Sequence, residues 1–107
     1  MKANKENLKS IFSKMEKDGF DTKNELKWGY YFFDKNKKNL ETVFDELKDH
    51  NYNFENIIEM EDKNWRLFVS KVEVLGYEKL HKRNIAFNEL AEYCNVDLYD
   101  GWDVEKL

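Results

Sequence analysis

Apolar residues recur at helical spacing near the start of the chain. They lie three or four positions apart on one stripe, formed by Leu8, Ile11, Phe12 and Met15. The stripe predicts a helix over residues 4–18 that ends at Gly19 and turns a lysine-rich face to solvent. Such helices also bind membrane surfaces or protein grooves, but helices that pack on their own domain are far more common, and we favour that interpretation.

The next segment has the pattern of a central strand. From Leu26 to Phe33, apolar side chains occupy both alternating faces. One face holds Leu26, Trp28, Tyr30 and Phe32, and the other holds Tyr31 and Phe33. A strand that is apolar on both faces is expected to be covered on both sides. Gly29 at its centre predicts a bulge or a close neighbour, and Asp34 is a candidate cap for the following helix.

The rest of the chain alternates helix and strand patterns. A second apolar stripe predicts a helix over 37–49, and two strand patterns joined by a short polar turn predict a hairpin over 52–60 and 65–75. A helix over 78–93 and a final strand over 96–104 follow. The order β-α-β-β-α-β predicts a ferredoxin-like α+β fold, in which two helices cover one face of a four-stranded antiparallel sheet.

That topology makes the first and third strands central and puts the last strand beside the first. We expect one domain over residues 1–107, made of an N-terminal helix (1–20) and an α+β core (24–107). We also expect the N-terminal helix, or a partner, to cover part of the face that the two main helices leave open.

Charge is unevenly distributed along the chain. The net charge is −4 at pH 7, but residues 1–20 carry five lysines against three acids, whereas residues 21–107 carry thirteen basic and nineteen acidic residues. An acidic body argues against direct nucleic-acid binding, which depends on neutralising phosphates, and it favours a protein partner with a basic region.

The sequence also indicates where the protein works. No signal peptide is visible at Met1–Lys5, and no apolar run approaches the ~20 residues of a membrane span. The one cysteine, Cys94, cannot form an internal disulfide. We expect a cytoplasmic protein without membrane contact.

Candidate catalytic and metal-binding residues are sparse. His50, His81 and Cys94 lack the spacing of a zinc site, and no glycine-rich phosphate loop occurs. Carboxylates such as Glu59 and Glu61 flank a polar turn, where solvated side chains are the usual occupants. We therefore predict that the protein is not an enzyme and uses no cofactor or metal.

The C-terminal segment 88–104, NELAEYCNVDLYDGWDV, predicts the end of a helix, a break at Asn95 and a short extended stretch. The aromatic, acidic and glycine residues of that stretch are Tyr99, Asp100, Gly101 and Trp102. They can serve the core and a tight turn, or form a protein-binding hot spot on an edge strand. We favour the structural role, because small domains usually need Tyr and Trp in the core.

This ending resembles that of the regulator of ribonuclease E activity B (RraB) family. Three upstream segments resemble the family in the same order. Met15–Asp21 is similar to its helix-to-Gly-x-Asp junction, Trp28–Asp34 to its aromatic strand, and Asp45–Tyr52 to its next helix end. The resemblance extends over residues 8–104.

The resemblance implies a function as well as a fold. RraB proteins are small cytoplasmic inhibitors that bind ribonuclease E outside its catalytic chemistry and alter RNA turnover. It implies a non-enzymatic regulator whose partner is an RNA-degrading endonuclease with a basic region. The residues it marks as structural or partner-binding are Tyr99, Asp100, Gly101, Trp102, Asp21 and Trp28.

Two alternatives stay open from the sequence. The chain fits a stand-alone interaction module, such as an immunity or toxin-neutralising protein with an acidic binding surface. A homodimer through the open sheet face is also compatible with the pattern.

Overall fold

The structure, a computed structural model, describes residues 2–107. Its four strands form one antiparallel sheet in the order β2-β3-β1-β4, with β1 Leu26–Asp34, β2 Asn53–Glu59, β3 Trp65–Glu73 and β4 Leu98–Glu105. The helices are α1 Lys5–Lys17, α2 Lys37–Leu47 and α3 Tyr77–Tyr93. The predicted α+β fold is confirmed, including the central positions of β1 and β3 and the place of β4 beside β1.

Strand β1 pairs along its length with both neighbours. Against β3 the register runs from Leu26 opposite Glu73 to Asp34 opposite Trp65. Against β4 the register shifts between Tyr31 and Phe32, whose partners are Gly101 and Tyr99. Asp100 is therefore the extra residue of a β-bulge, which locally bends the edge strand.

All three helices cover the same face of the sheet. The apolar stripe of α1 is buried in the core shared by the other helices, and Phe12 stacks on Trp28 with 5.7 Å between ring centres. Phe12 also lies 6.4 Å from Trp102 and 6.2 Å from Tyr77 at the start of α3. The expectation that α1 covers part of the opposite face is wrong, because the indoles of β1 and β4 give its stripe an apolar surface beside α3. Coverage of that face by a partner stays a prediction.

The end of β1 shows a second difference from the sequence prediction. Asp34 does not cap α2; the side chain of Asn36 does, accepting from the Lys38 amide at 3.0 Å. Asp34 is instead buried and accepts hydrogen bonds from the Asn36 amide, Asn39 Nδ2 and the Asp97 amide. Its carboxylate thus joins β1, α2 and the loop before β4.

Some boundaries also move. Helix α2 ends at Leu47, and a 3₁₀ turn, Lys48–His50, follows it. Strand β4 begins at Leu98 rather than at Val96, because the Val96 amide donates to the Ala91 carbonyl at 2.8 Å in the turn that closes α3. Asn95 takes the left-handed conformation there, with φ 59°, as its position in the sequence predicts.

Candidate functional site

The Tyr99–Trp102 motif lies on β4. Tyr99 and Trp102 face the side of the sheet that the helices cover, and Gly101 lies in the bend beside the bulge. Tyr99 is buried, and its hydroxyl donates to Asn84 Oδ1 at 2.6 Å. Burial raises the pKa of Tyr99. Gly101 has φ +125°, a conformation that L side chains rarely adopt, and the Trp102 ring lies 5.7 Å from that of Trp28. These surroundings support the structural interpretation of Tyr99, Gly101, Trp102 and Trp28.

The two acidic residues marked by the sequence lie elsewhere. Asp21 is exposed and accepts from the Lys23 amide at 3.1 Å and from Asn24 Nδ2 at 2.6 Å, which stabilises the turn before β1. Asp100 is exposed at the bulge of β4. The structure therefore brings Trp28 and Trp102 together, whereas Asp21 is bonded within its own turn.

The second face of the sheet carries none of the three helices, and we name it the open face. Its side chains are those that alternate with the core positions of each strand. They are Lys27, Tyr31 and Phe33 of β1, Glu55, Asn56 and Ile58 of β2, Arg66, Phe68, Ser70 and Val72 of β3, and Leu98, Asp103 and Glu105 of β4.

An aromatic and cationic stack stands at the centre of the open face. The rings of Tyr31 and Phe68 are nearly parallel, with centres 4.7 Å apart. The Arg66 guanidinium lies 5.1 Å from the centre of the Tyr31 ring. The Tyr31 hydroxyl donates to Asp103 Oδ2 at 2.6 Å, and burial together with this bond raises the pKa of Tyr31 to about 12. We call Arg66, Tyr31 and Phe68 the central stack.

Gly29 explains how the stack lies so close to the backbone. A Cβ atom at this position would lie 2.5 Å from both Phe68 Cε1 and Asp103 Oδ1. The close neighbour that the sequence predicted for Gly29 is therefore confirmed, and it consists of two open-face side chains.

Arg66 of the central stack also belongs to a row of four side chains that lie opposite one another across the four strands. This transverse row consists of Ile58, Arg66, Phe33 and Leu98. Ile58 and Leu98, at its two ends, keep 39% and 40% of their surface exposed. Neighbouring strands are about 4.8 Å apart, so the row spans about 14 Å. It forms an apolar band interrupted by one guanidinium.

The carboxylates on or beside the open face that form no ion pair within residues 2–107 lie on β4. Lys27 Nζ donates to the Glu55 carboxylate at 2.7 Å, and this hydrogen bond is the main cause of the raised pKa of Lys27. The carboxylates of β4 are those of Asp100, Asp103 and Glu105, which we call the acidic edge. Three ion pairs occur among residues 2–107, and none of them involves the acidic edge.

The open face is chemically better suited to binding a protein segment than to binding single-stranded nucleic acid. Platforms for single-stranded nucleic acid combine free ring faces with a basic groove. Here the Tyr31 and Phe68 rings stack on each other and the flanking strand is acidic. Over the described part of the chain, no group of His, Cys, Asp and Glu is arranged to hold a metal ion. No helix of residues 2–107 is long and apolar enough to cross a membrane.

A partly buried ion pair lies on the side of the sheet that the helices cover. The Arg83 guanidinium is bonded to both oxygens of Glu73 and donates to the Tyr30 hydroxyl at 3.0 Å. Burial has the largest single effect and lowers the pKa of Arg83, but the hydrogen bond to Glu73 and the interactions with Tyr30 and Tyr52 together outweigh it, so the pKa is raised. The pair links β3 to α3, and removal of either partner would leave the other charge unpaired and largely shielded from water.

Sequence reasoning singled out none of Arg66, Phe68, Ile58 and Leu98. The alternation along β3 separates Phe68 from Trp65, Leu67 and Val69, and the structure likewise places it on the other face of the sheet. The missing information was the register, because the pattern of one strand does not say which residues of its neighbours lie beside it.

Comparison with known proteins adds two findings. No curated protein matches the chain. A family model described as regulator of ribonuclease activity B matches residues 5–104, from the start of α1 into β4.

Proposed function

Since the chain belongs to the regulator of ribonuclease activity B (RraB) family, we propose that it inhibits a ribonuclease E-type endonuclease by binding to it as a protein. The observation that carries this proposal is the family match over residues 5–104, which includes every helix and nearly every strand residue. In this proposal the protein is a cytoplasmic regulator of RNA turnover and performs no catalysis itself.

The charge distribution suggests how such inhibition works. RNA binds to basic protein regions because lysine and arginine neutralise its phosphates. The acidic edge presents carboxylates of Asp100, Asp103 and Glu105 that have no ion-pair partner within residues 2–107. We propose that these carboxylates compete with RNA for a basic region outside the catalytic centre of the endonuclease.

The test is an RNA cleavage assay with a purified ribonuclease E-type enzyme, used as the full-length protein and as its isolated catalytic domain. Addition of the chain is expected to slow cleavage by the full-length enzyme and to leave the catalytic domain unaffected. Inhibition should weaken at high salt, since exposed charges are then screened. Unchanged cleavage by both forms at low salt would contradict the proposal.

A capture experiment from lysate, with the purified chain as bait, addresses the rival interpretation. Recovery of an RNA-degrading endonuclease supports the regulator. Recovery of one toxin-like protein that the chain then neutralises in a purified assay favours the immunity protein instead.

A further inference from the structure

We propose that the open face is the docking surface of this protein and that its occupant is a basic amphipathic segment of a protein partner. Such a segment carries apolar side chains flanked by lysine or arginine. Its apolar residues lie on the transverse row, and its cations face the acidic edge. The assignment of this segment to an RNA-degrading endonuclease rests on the proposed function, whereas the surface and its chemistry rest on the geometry below.

The first argument is the apolar band. Ile58 and Leu98 are about two-fifths exposed, and Phe33 lies between them in the same row. All three helices pack on the other side, so no described element of the chain shields this band. Interfaces place apolar and aromatic side chains at the centre of the contact and polar groups at its rim. The row has that arrangement.

The second argument is charge complementarity, and it identifies the occupant. Lys27 and Arg66 of the open face form no ion pair with the acidic edge, since Lys27 is paired with Glu55 and Arg66 lies over the Tyr31 ring. The carboxylates of Asp103 and Glu105 are two positions apart on one strand, a separation of about 7 Å. Lysine or arginine side chains of a bound segment can reach both from one side of the row.

The third argument is rigidity. The Tyr31 ring is held by Phe68 on one side and Arg66 on the other, and its hydroxyl is bonded to Asp103. Ring stacking and a charge-assisted hydrogen bond restrict these side chains before a partner arrives. Binding then costs less side-chain ordering, which is the advantage of a preorganised surface.

Charge also distinguishes this occupant from a second copy of the chain. A second copy brings the same three carboxylates and the same net charge of −4. Like charges that face each other across a contact are unfavourable, so a basic segment is the better complement.

The direct test uses a synthetic helix-length peptide with leucines at positions i, i+3, i+4 and i+7 and lysines elsewhere. One control peptide replaces each lysine with glutamate, and another replaces each leucine with serine. Each is titrated into the isotopically labelled chain at low salt, and amide chemical shifts are recorded. We expect the leucine–lysine peptide to bind at least about tenfold more tightly than either control, a difference of about 1.4 kcal/mol. Its shifts should concentrate on the open-face strands.

Apolar substitutions test the row. Ile58→Asp and Leu98→Asp are each expected to weaken peptide binding about tenfold, because they put a charge in the apolar centre of the contact. The matched control is Ile85→Asp on α3, where the isoleucine is 41% exposed on the helix-covered side. It should bind the peptide as the wild-type chain does. Circular dichroism checks that each variant is folded.

Charge substitutions keep the test decisive if an aspartate in the row unfolds the chain. Asp100→Asn together with Glu105→Gln removes two carboxylates with little change of shape and should weaken binding severalfold, with a smaller salt dependence. Glu78→Gln together with Glu89→Gln makes the same change in net charge on exposed positions of α3 and should have little effect.

Several outcomes overturn the proposal. Peptide-induced shifts confined to the helices, equal binding of the serine control, or unchanged binding by the row and edge variants would each refute the surface. Self-association of the chain that the row variants abolish would identify a second copy as the occupant instead.

Ribonuclease inhibition that survives the row variants leaves the proposed function standing without this surface. Peptide binding without ribonuclease inhibition leaves the surface standing without the function.

Discussion

The substitution Gly29→Ala tests the packing on which the open face depends. The added Cβ would lie 2.5 Å from Phe68 Cε1 and from Asp103 Oδ1, so both side chains must move. Overpacking of this kind costs about 1–3 kcal/mol, and the lower entropy of the unfolded alanine chain offsets about 0.4–1 kcal/mol. The expected net loss is about 1–2 kcal/mol, or a fall in Tm of roughly 5–15 °C.

The assay is urea denaturation combined with thermal unfolding followed by circular dichroism. Gly76→Ala is the matched control, because no heavy atom lies within 4 Å of a Cβ at that position. Gly76 precedes α3 without a side-chain cap, so this change should stay within about 0.5 kcal/mol. A Gly29→Ala variant as stable as the wild-type chain would refute the reasoning.

A double-mutant cycle identifies the responsible contact. In a Phe68→Leu background the ring atom that meets the new Cβ is absent, so Gly29→Ala should cost about 1 kcal/mol less than in the wild-type chain. Equal costs in both backgrounds would assign the strain to Asp103 alone. Gly29→Ala should also weaken peptide binding, because Tyr31 loses its fixed neighbours.

Three further perturbations test single hydrogen bonds and ion pairs. Tyr99→Phe deprives Asn84 Oδ1 of its donor and should lower the free energy of unfolding, measured by urea denaturation, by about 1–2 kcal/mol. Tyr93→Phe, at the exposed end of α3, should change it very little. Glu73→Gln leaves the shielded Arg83 guanidinium without its carboxylate and should lower the free energy of unfolding by about 3 kcal/mol. The same substitution at an exposed glutamate of α3 should change it very little. The pKa of Tyr31 is raised from 10.0 to about 12, so its contribution to stability is complete below pH 10 and is lost as pH rises towards 12. Unfolding curves that do not change between pH 9 and pH 12 would contradict that assignment.

The family resemblance is confirmed. In the sequence it rested on several short segments that occur in the same order as in the family, rather than on one motif. The Tyr99–Trp102 stretch was the most specific of these. A tight bend at Gly101 and buried rings at Tyr99 and Trp28 explain why these residue types occur there. The roles of Asp100 and Asp21 in binding stay predictions, since both side chains are exposed.

Patterns within single segments were enough to predict the helices, the strands and the fold class. Apolar periodicity located three helices and four strands, and the two-faced pattern of Leu26–Phe33 correctly made β1 central. It also anticipated the close neighbour at Gly29 and the helix break at Asn95. These features are local, because spacing and glycine or asparagine conformation act over a few residues of one segment.

Which surfaces meet depends on contacts between distant segments and is seen only in the folded chain. The stripe of α1 specified an apolar face but not its partner, and Phe12 packs on Trp28 rather than on the open face. Asp34 had the residue type of a helix cap, yet its burial beside α2 and the β4 loop gives it other donors. The transverse row exists only because strand register aligns Ile58 and Leu98, forty residues apart in the chain. Such alignment depends on pairing between distant segments, and a periodicity within each segment does not contain it.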